Sequence, residues 1–310
     1  MNGKIALQWK NTLLAVSLFA LILGPVVVLG SSKLIYVDED NKGSQDGSYN
    51  HPYHTISKAL KHAKGSTVVY VAKGTYKENI TLPKDVKLIG GKDMDDVVIK
   101  ADNPDQPVIT MKDDSEINKI TVVGGRHGVR VIEHAEAKII RSVVKGSTRD
   151  GVHIDKGTRD KKEQVIIDKS VIKNNRLAGI FSEKRNIIVT NTDIIGNGDG
   201  VDLVANVKAW FADNRILENR GSGFKVTIDG ATFWSKNNSI RRNGREGVEV
   251  NSYGEAGSVG FKKASFVDNG RYAVARIARS GNGNFQGLSL ENNRFEGNGL
   301  GSTSPVFQIW

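Results

Sequence analysis

A repeat of twenty-odd residues runs through the second half of the chain and constrains its fold more than any other feature. The stretch NRILENRGSGFKV, residues 214–226, returns as NSIRRNGREGVEV, residues 238–250. One asparagine recurs in each repeat, with steps of 23, 22, 24, 26 and 29 residues: Asn174, Asn197, Asn219, Asn243, Asn269 and Asn298. A period of this length is typical of a stacked solenoid, in which each repeat buries its apolar face against its neighbours.

The repeats contain short β-type segments rather than helices. Apolar and polar residues alternate with a period of two in the segments GVHID, GVDLV, GVEVN and NIIVT. No ten-residue helical pattern separates these segments. The leucine-rich repeat has a similar period, but its leucine signature is missing here. Short parallel strands that return in every repeat predict an all-β fold, a right-handed single-stranded parallel β-helix with coils of about 22–29 residues.

We assign the recurring asparagines a structural role rather than a catalytic one. Asparagine tolerates left-handed backbone geometry at a turn, and stacked side-chain amides hydrogen bond to each other along the axis. Three residues before each asparagine the chain is apolar, as at Val171 and Ile216, and a small residue such as Gly179 or Gly223 follows. These features predict that every coil turns at the same place.

The N-terminal part of the folded sequence fits the start of the same solenoid. One face of a short predicted helix is apolar: Ile56, Ala59, Leu60 and Ala63. Thr55 is its N-cap candidate and Gly65 follows its end, so this helix is expected to cap the open end of the stack. The segments VVYVA, VKLIGG, VVIK and VITM then predict strands. We expect the cap and the first coils over residues 33–114, and the regular repeats with a C-terminal tail over residues 115–310.

The first thirty residues differ from the rest. Residues 12–30 carry no charge, follow two lysines and end in the small residues of VLGSS. This pattern is typical of a signal peptide, and the apolar run is also long enough for an N-terminal membrane anchor, that is, a transmembrane helix. Because only Ser31 and Ser32 separate the run from folded sequence, we expect cleavage near Ser31. Either outcome predicts an extracytoplasmic protein, secreted or anchored to the outer side of the plasma membrane.

Composition restricts the chemistry and the partners. The chain has no cysteine, which excludes thiol catalysis, disulfides and cysteine metal sites. Its net charge of +10 favours anionic polymers or lipid surfaces, although charge also serves solubility. The sequence contains no phosphate-binding glycine loop, metal-binding histidine pair or nucleic-acid motif, so no nucleic acid is expected as a partner. The oligomeric state is left open.

The opening of the folded part resembles a known family. GSQDGSYNHPYHTISKAL, VVYVAKGTYKENI and VKLIGG are similar to the start of bacterial pectin-lyase-like right-handed β-helix proteins, and the later coils resemble their repeats. The resemblance extends from about Ile35 to Asn298. It implies the fold, while the superfamily contains polysaccharide lyases, hydrolases, esterases and epimerases beside members with no known activity. The Gly-His-Gly motif of polygalacturonases and the Asp-Pro-His-Asp signature of alginate epimerases are absent, so neither activity is transferred.

An alignment of the repeats maps the surface, because equivalent residues of successive coils stack about 4.8 Å apart. The residue after each small residue is always apolar and points inward, so the next one points outward. This outward column and the position before the small residue gather a set of titratable side chains, which we call the polar strip: Arg130, Asp150, His153, Asp199, Asp202, Lys225 and Glu249. The polar strip is the candidate site.

One chemistry compatible with the polar strip is that of a uronate lyase or epimerase. Such an enzyme needs a cation to neutralise the sugar carboxylate, for which Arg130 and Lys225 are candidates. It also needs a base for the C5 proton, for which His153 and Tyr272 are candidates.

A glycoside hydrolase is the other enzymatic reading. Asp150, Asp199 and Asp202 span one to two coils, or about 5–10 Å, which covers the carboxylate separations of both retaining and inverting hydrolases. Asp199, Asp202 and Glu249 are alternatively ligands for Ca²⁺, which prefers several oxygens. Asp202, Lys225 and Glu249 also alternate in sign on successive coils, as a solvated salt-bridge ladder does.

A second outward column is apolar. Trp210 and Trp234 are expected to point outward on adjacent coils, continued by Ile188 and Val165. Such a stripe suits a sugar-stacking platform, a subunit contact or an intramolecular cover by the C-terminal VFQIW, of which we favour the cover. The basic loop Lys156–Gln164 follows the polar strip in its coil and suits an anionic ligand.

These observations predict an exported β-helix protein that binds a polysaccharide, expected to be acidic, and that processes it if the polar strip is catalytic. The alternative is a non-catalytic cell-envelope or surface protein that serves as a scaffold or in adhesion. A groove over the polar strip favours the first interpretation, and a flat open face favours the second.

Overall fold

The fold consists of three parallel sheets, and each complete coil contributes one strand to each of them. The computed structural model describes residues 32–158, 160–278 and 287–304. Within these residues the sheets have eleven, ten and ten strands, and neighbouring strands in each sheet come from successive coils. The predicted all-β parallel β-helix is confirmed.

The first sheet consists, in the described residues, of β1 (Lys33–Val37), β2 (Thr67–Val71), β5 (Val86–Ile89), β8 (Ser115–Asn118), β11 (Ala137–Ile140), β14 (Gln164–Asp168), β17 (Asn186–Thr190), β20 (Lys208–Ala212), β23 (Thr232–Lys236), β26 (Ser258–Lys262) and β29 (Leu288–Glu291). The second consists of β3 (Gly74–Lys77), β6 (Val97–Lys100), β9 (Thr121–Val123), β12 (Val143–Lys145), β15 (Val171–Lys173), β18 (Asp193–Ile195), β21 (Arg215–Leu217), β24 (Ser239–Arg241), β27 (Ser265–Val267) and β30 (Arg294–Glu296). The third consists of β4 (Ile80–Leu82), β7 (Ile109–Met111), β10 (Val129–Val131), β13 (Val152–Ile154), β16 (Ile180–Glu183), β19 (Val201–Val204), β22 (Phe224–Thr227), β25 (Val248–Ser252), β28 (Tyr272–Ala278) and β31 (Gly301–Thr303).

The core fills the inside of the coils, because alternate residues of each short strand point inward. The inward positions of the third sheet are fully buried, as Val152, Val201 and Phe224 are. In the later coils phenylalanines stack edge to face along the axis, with ring centroids 5.2 Å apart between Phe211 and Phe224. This apolar column fixes which side chains of each strand are left on the outer face.

The asparagine ladder lies at the turn between the second and third sheets. Nδ2 of Asn197 donates to Oδ1 of Asn219 at 3.1 Å, and the backbone N–H of Asn197 donates to the same oxygen at 2.9 Å. The same pattern joins the following ladder members: Asn219, Asn243, Asn269 and Asn298. Because most of these amides are buried, they hold successive coils in one register.

The structure corrects the start of the predicted ladder by one residue. Asn175 donates to Asn197, whereas Asn174 lies at the turn itself with φ 56°. In this coil Ile172, not Val171, is the fully buried apolar residue. The left-handed conformation therefore belongs to the residue before each ladder asparagine, as at Glu218 with φ 55°, while the ladder side chain points inward.

A second ladder, at the turn between the first and second sheets, was missed in the sequence. The backbone N–H of Thr192 donates to Oδ1 of Asn214 at 2.9 Å, and Nδ2 of Asn214 donates to Oδ1 of Asn238 at 2.9 Å. Ser170 precedes them in the same column. The column changes from serine to threonine to asparagine, so no single residue type repeats.

The predicted cap helix is confirmed as α1 (Ile56–His62), which packs against β1, β2 and β4. Thr55 is its N-cap and accepts the backbone N–H of Lys58 at 3.2 Å. The carboxylate of Glu78, on the next part of the coil, accepts the backbone N–H groups of Ile56 and Ser57 at 2.9 and 2.8 Å. The free backbone N–H groups of the first helical turn thus find acceptors in the side chains of Thr55 and Glu78.

The stack continues across residue 114, since β5 pairs with β8 through Lys87 and Glu116. The predicted signal peptide or anchor over residues 1–30 and the C-terminal VFQIW lie outside the described residues. Within the described residues, no helix has the length and apolar character needed to cross a membrane.

The ladder position Asn219 offers a test of this architecture. We expect Asn219→Ala to lower the free energy of unfolding by about 2–4 kcal/mol, because two buried donors of Asn197 lose their acceptor. Urea denaturation measures the loss, with the exposed Asn50→Ala as the control. Equal stability of the two variants would contradict the buried ladder.

Candidate functional site

The polar strip lies on the outer face of the third sheet in the predicted register. Arg130 pairs with His153, His153 with Phe181, and Phe181 with Asp202. Asp202 then pairs with Lys225, and Lys225 with Glu249. The aromatic ring of Phe181 therefore divides the strip, so His153 and Asp202 lie two coils apart.

The residues of the polar strip, together with their neighbours, form two separate groups. We call the first the histidine pocket: Arg126, His127, Arg130, Arg149, Asp150, His153 and Asp155. We call the second the carboxylate cluster: Asp199, Asp202, Ser222, Lys225, Glu246 and Glu249. The sequence predicted a single site, and His127 and Asp155 were not among its candidates. Asp155 carries a detectable signal, because it follows His153 by two residues in an alternating strand and so shares its face.

Two imidazole rings, tilted by 39° to each other, cover Asp150 in the histidine pocket. Nδ1 of His153 lies 3.0 Å from Oδ2 of Asp150, and Oδ1 of Asp150 accepts the backbone N–H of Ala178 at 3.1 Å. The ring of His127, one coil earlier, lies 4.4 Å from that of His153, which stacks on Phe181 at 4.8 Å. Asp150 was predicted on an outward-facing strip, but it is only 4% exposed because these rings close over it.

The charge of Asp150 fixes the proton of His153. Burial raises the pKa of Asp150, but the close contact of His127 and the hydrogen bond of His153, together with the charges of the two rings, outweigh burial and hold the pKa well below its ordinary range. An ionised Asp150 only accepts, so Nδ1 of His153 carries the proton. In the neutral form of His153, Nε2, which lies 3.5 Å from Oδ1 of Asp155, is the nitrogen that can accept a proton.

A cavity of about 350 Å³ opens over these rings, between His127, His153 and three guanidinium groups. Arg130 binds Asp155 in a two-pronged contact, with Nε to Oδ1 at 3.1 Å and Nη2 to Oδ2 at 2.7 Å. Arg126 and Arg149 are exposed and form no ion pair with any residue in the described parts of the chain. The cavity therefore presents two unneutralised cations beside the imidazoles.

Arg185 holds the loop that carries Asp155. Its guanidinium is fully buried and donates to the backbone oxygens of Asp155 and Ile132, each at 3.2 Å, and to that of Ala135. The predicted basic loop Lys156–Gln164 begins at this point and folds back through a 3₁₀ turn, Lys161–Glu163. Asp155, and with it Arg130 and His153, is thus fixed by a cation below the surface.

The carboxylate cluster is internally paired. Nζ of Lys225 lies 3.3 Å from Oδ2 of Asp199, and Oγ of Ser222 lies 3.3 Å from Oε2 of Glu249. Glu249, predicted on the solvent-facing strip, is fully buried, as is Glu246 beside it. Their side chains leave the coil outward, but neighbouring side chains such as Ser222 and Asn251 cover them.

Burial raises the pKa of Asp202 in this cluster to about 6. Lys225 opposes the shift, whereas the negative charges of Asp199, Asp150 and Glu249 reinforce it. Asp202, Lys225 and Glu249 lie on successive coils as predicted, but they do not form the solvated ladder, because Glu249 is fully buried and Lys225 pairs with Asp199. Among the described residues these carboxylates do not converge as a set of metal ligands, so the geometry gives the proposed Ca²⁺ site no support.

Tyr272 and the tryptophans lie away from the histidine pocket. Tyr272 begins β28, one coil beyond Glu249. Trp210 and Trp234 pair in register on the first sheet, half-buried, and the Trp234 ring covers Gly260.

The apolar stripe of Trp210, Trp234 and Ile188 continues to Ile166 and not, as predicted, to Val165. Ile188 pairs with Ile166 on the outer face, whereas Val165 is fully buried. This error has the same cause as the ladder error, because the position was counted from Asn174. The predicted cover of the stripe, VFQIW, lies outside the described residues.

The sequence matches the family described as right handed beta helix region over residues 127–295, and residues 39–96 match a family of proteins of unknown function, DUF1565. No curated protein sequence matches the chain.

Solved structures share the fold at low sequence identity. Pectate lyase Pel9A superposes with a TM-score of 0.63 and 15% identity, over 85% of this chain and 80% of that one. The alginate lyase from Paenibacillus sp. gives 0.57 and 14%, over 77% and 96%. The A-module of the Azotobacter vinelandii mannuronan C-5 epimerase AlgE4 gives 0.51 and 16%, over 80% and 91%.

The raised pKa of Asp202 predicts a pH-dependent stability. A carboxyl whose pKa is raised on folding, here from 3.8 to about 6, favours the folded state below pH 4 and opposes it as the pH rises through 6. Asp202→Asn should therefore raise the free energy of unfolding at pH 7 by on the order of 1–3 kcal/mol and change it little at pH 4.

Urea denaturation at the two pH values tests this expectation. The exposed substitution Asp95→Asn controls for the change in overall charge. A gain of the same size at both pH values would contradict the raised pKa of Asp202.

Proposed function

The chain belongs to the right-handed β-helix family, and we propose that on this scaffold it binds an acidic polysaccharide at the histidine pocket and acts on it as a lyase or epimerase. The observation that carries the proposal is the juxtaposition of an Asp150–His153 pair with the unpaired guanidinium groups of Arg126 and Arg149. Cations beside a positioned base suit a substrate that carries a carboxylate next to an acidic C–H bond.

Electrostatic attraction is the first contribution to binding of the acidic polysaccharide. The cavity presents three guanidinium groups, of which only Arg130 is neutralised, by Asp155. Guanidinium groups bind carboxylates through paired hydrogen bonds. The net charge of +10 adds a long-range attraction for a polyanion.

Proton abstraction follows from the fixed tautomer of His153. Its Nε2 accepts the C5 proton of a uronate residue, and the electron pair from the C–H bond moves onto the carboxylate, where Arg126 and Arg149 stabilise the added charge. In a lyase, this pair then forms the C4–C5 double bond as the C4–O4 bond breaks, and the departing oxygen takes up the proton now held by His153. In an epimerase, C5 takes a proton from water on the opposite face instead, and His153 releases its proton to solvent.

The hydrolase reading fits less well. Of its three candidate carboxylates, Asp150 is buried, Asp199 pairs with Lys225, and Asp202 lies beyond Phe181. The fold hosts the favoured type of reaction elsewhere, since its structural neighbours include proteins named pectate lyase, alginate lyase and mannuronan C-5 epimerase. An extracytoplasmic location is part of the proposal and rests on residues 12–30 alone.

Binding is tested with a panel of uronic-acid polymers. We expect Arg126→Ala and Arg149→Ala each to weaken binding about three- to tenfold and to flatten its salt dependence, because each removes a screened charge contact. The exposed Lys64→Ala removes the same charge far from the pocket and is the control. If Trp210→Ala and Trp234→Ala abolish binding and the arginine variants do not, the ligand binds the apolar stripe instead.

Catalysis is tested with His153→Gln. Turnover should fall by about 100- to 10,000-fold while affinity is retained, because only the transition state uses the base. Absorbance of unsaturated products measures lyase activity, and deuterium uptake at C5 from heavy water measures epimerase activity. The exposed His54→Gln should leave both unchanged. No turnover of any uronate polymer by the parent protein would favour the alternative, a non-catalytic envelope scaffold.

A further inference from the structure

Three ligand atoms converge at the base of the histidine pocket. Nδ1 of His127 lies 3.4 Å and Nδ1 of His153 lies 3.0 Å from the same oxygen, Oδ2 of Asp150. All three atoms lie within 4.8 Å of one another. Bonds of about 2.0–2.2 Å from a central ion to nitrogen and oxygen require ligand atoms at separations near these, so small rotations of the rings close the set.

Of these three residues, His127 has a buried ring nitrogen that no hydrogen bond accounts for. Its side chain is 9% exposed, and its Nδ1 lacks a hydrogen-bond partner because its contact with Asp150 is not aligned for one. A buried polar nitrogen without a partner costs about 1–3 kcal/mol. Turned towards a carboxylate and a second imidazole, it has the surroundings of a metal ligand.

We propose that His127, Asp150 and His153 bind a divalent transition metal ion through two imidazole nitrogens and one carboxylate oxygen. Imidazole ligands favour Zn²⁺, Ni²⁺ or Cu²⁺ over Ca²⁺ and Mg²⁺, which prefer oxygen. Three protein ligands leave a coordination position for water or substrate, as in open zinc sites. Arg130 lies beside His153 in the sheet, but its charge is neutralised by Asp155. Its electrostatic repulsion of a bound metal ion is therefore weakened.

The metal site has a consequence for catalysis, and this consequence rests on the proposed function. A metal on Nδ1 of His153 displaces the proton from that nitrogen, so the neutral ring carries its proton on Nε2. This nitrogen then donates a hydrogen bond into the cavity and no longer accepts the C5 proton. The ion and the lyase or epimerase reaction therefore compete for one imidazole, and Zn²⁺ inhibits turnover.

Zinc binding is measured on the full chain by equilibrium dialysis, and Co²⁺ absorption reports the ligand geometry. We expect one ion per chain, a higher melting temperature with Zn²⁺, and a nitrogen-and-oxygen Co²⁺ spectrum that Ca²⁺ does not abolish. His127→Gln and Asp150→Asn should each weaken Zn²⁺ binding at least about tenfold and lose the thermal shift. The side-chain amide introduced by Asp150→Asn retains an oxygen for the N–H of Ala178, which favours folding of that variant.

The exposed His54→Gln is the matched control and should bind Zn²⁺ as the parent does. Absence of a bound ion on the parent, or equal binding by the parent and His127→Gln, would overturn the site, as would loss of binding in His54→Gln. Polymer binding measured in the presence of a chelator separates this outcome from failure of the proposed function.

Discussion

The parallel register between successive coils is the constraint on which the rest of the molecule depends. Buried amides such as Asn197 and Asn219 hydrogen bond directly from coil to coil, and each also receives a backbone N–H from the coil before. A slip of one residue would expose the core and bury the outer face. Because the ladders prevent it, residues 23 positions apart, such as His127 and Asp150, meet in space. The contacts of His127 with Asp150 and of Arg130 with Asp155 therefore follow from this register.

Charge on the outer face is organised by the same stacking, with different results on the two sides of Phe181. In the carboxylate cluster Lys225 pairs with Asp199 and Arg271 pairs with Glu246, while burial and the neighbouring negative charges raise the pKa of Asp202 to about 6. In the histidine pocket the ionised Asp150 lies beneath the two imidazole rings, and the guanidinium groups line the cavity. The first arrangement is stable by itself, whereas the second leaves cations and nitrogens that a ligand can satisfy.

Sequence periodicity predicted the fold, the cap helix and the outward column, because all of them repeat or follow local rules. It located Arg130, His153, Asp202 and Lys225 on one face correctly. Coil-to-coil counting failed only where two asparagines adjoin, at Asn174 and Asn175. Burial of Asp150 and Glu249 was not predictable, because alternation gives the direction of a side chain and not what covers it. The contribution of Arg185 could not be predicted either, since its partners are backbone oxygens 30 to 53 residues away.

Arg185 shows how a rigid pocket is built from loop residues. A buried guanidinium without a carboxylate partner is costly, and burial lowers the pKa of Arg185 despite the charges of Glu163, Asp155 and Asp113 nearby. Its bonds to three carbonyl groups tie two loops to one point below the cavity. Asp155 is consequently held where it binds Arg130 and faces Nε2 of His153. An enzyme that removes a weakly acidic proton needs its base and its cations fixed before the substrate arrives, because reorganisation at that moment would consume the stabilisation they provide. Under the proposed function, the internal support of Asp155 by Arg185 provides this fixation.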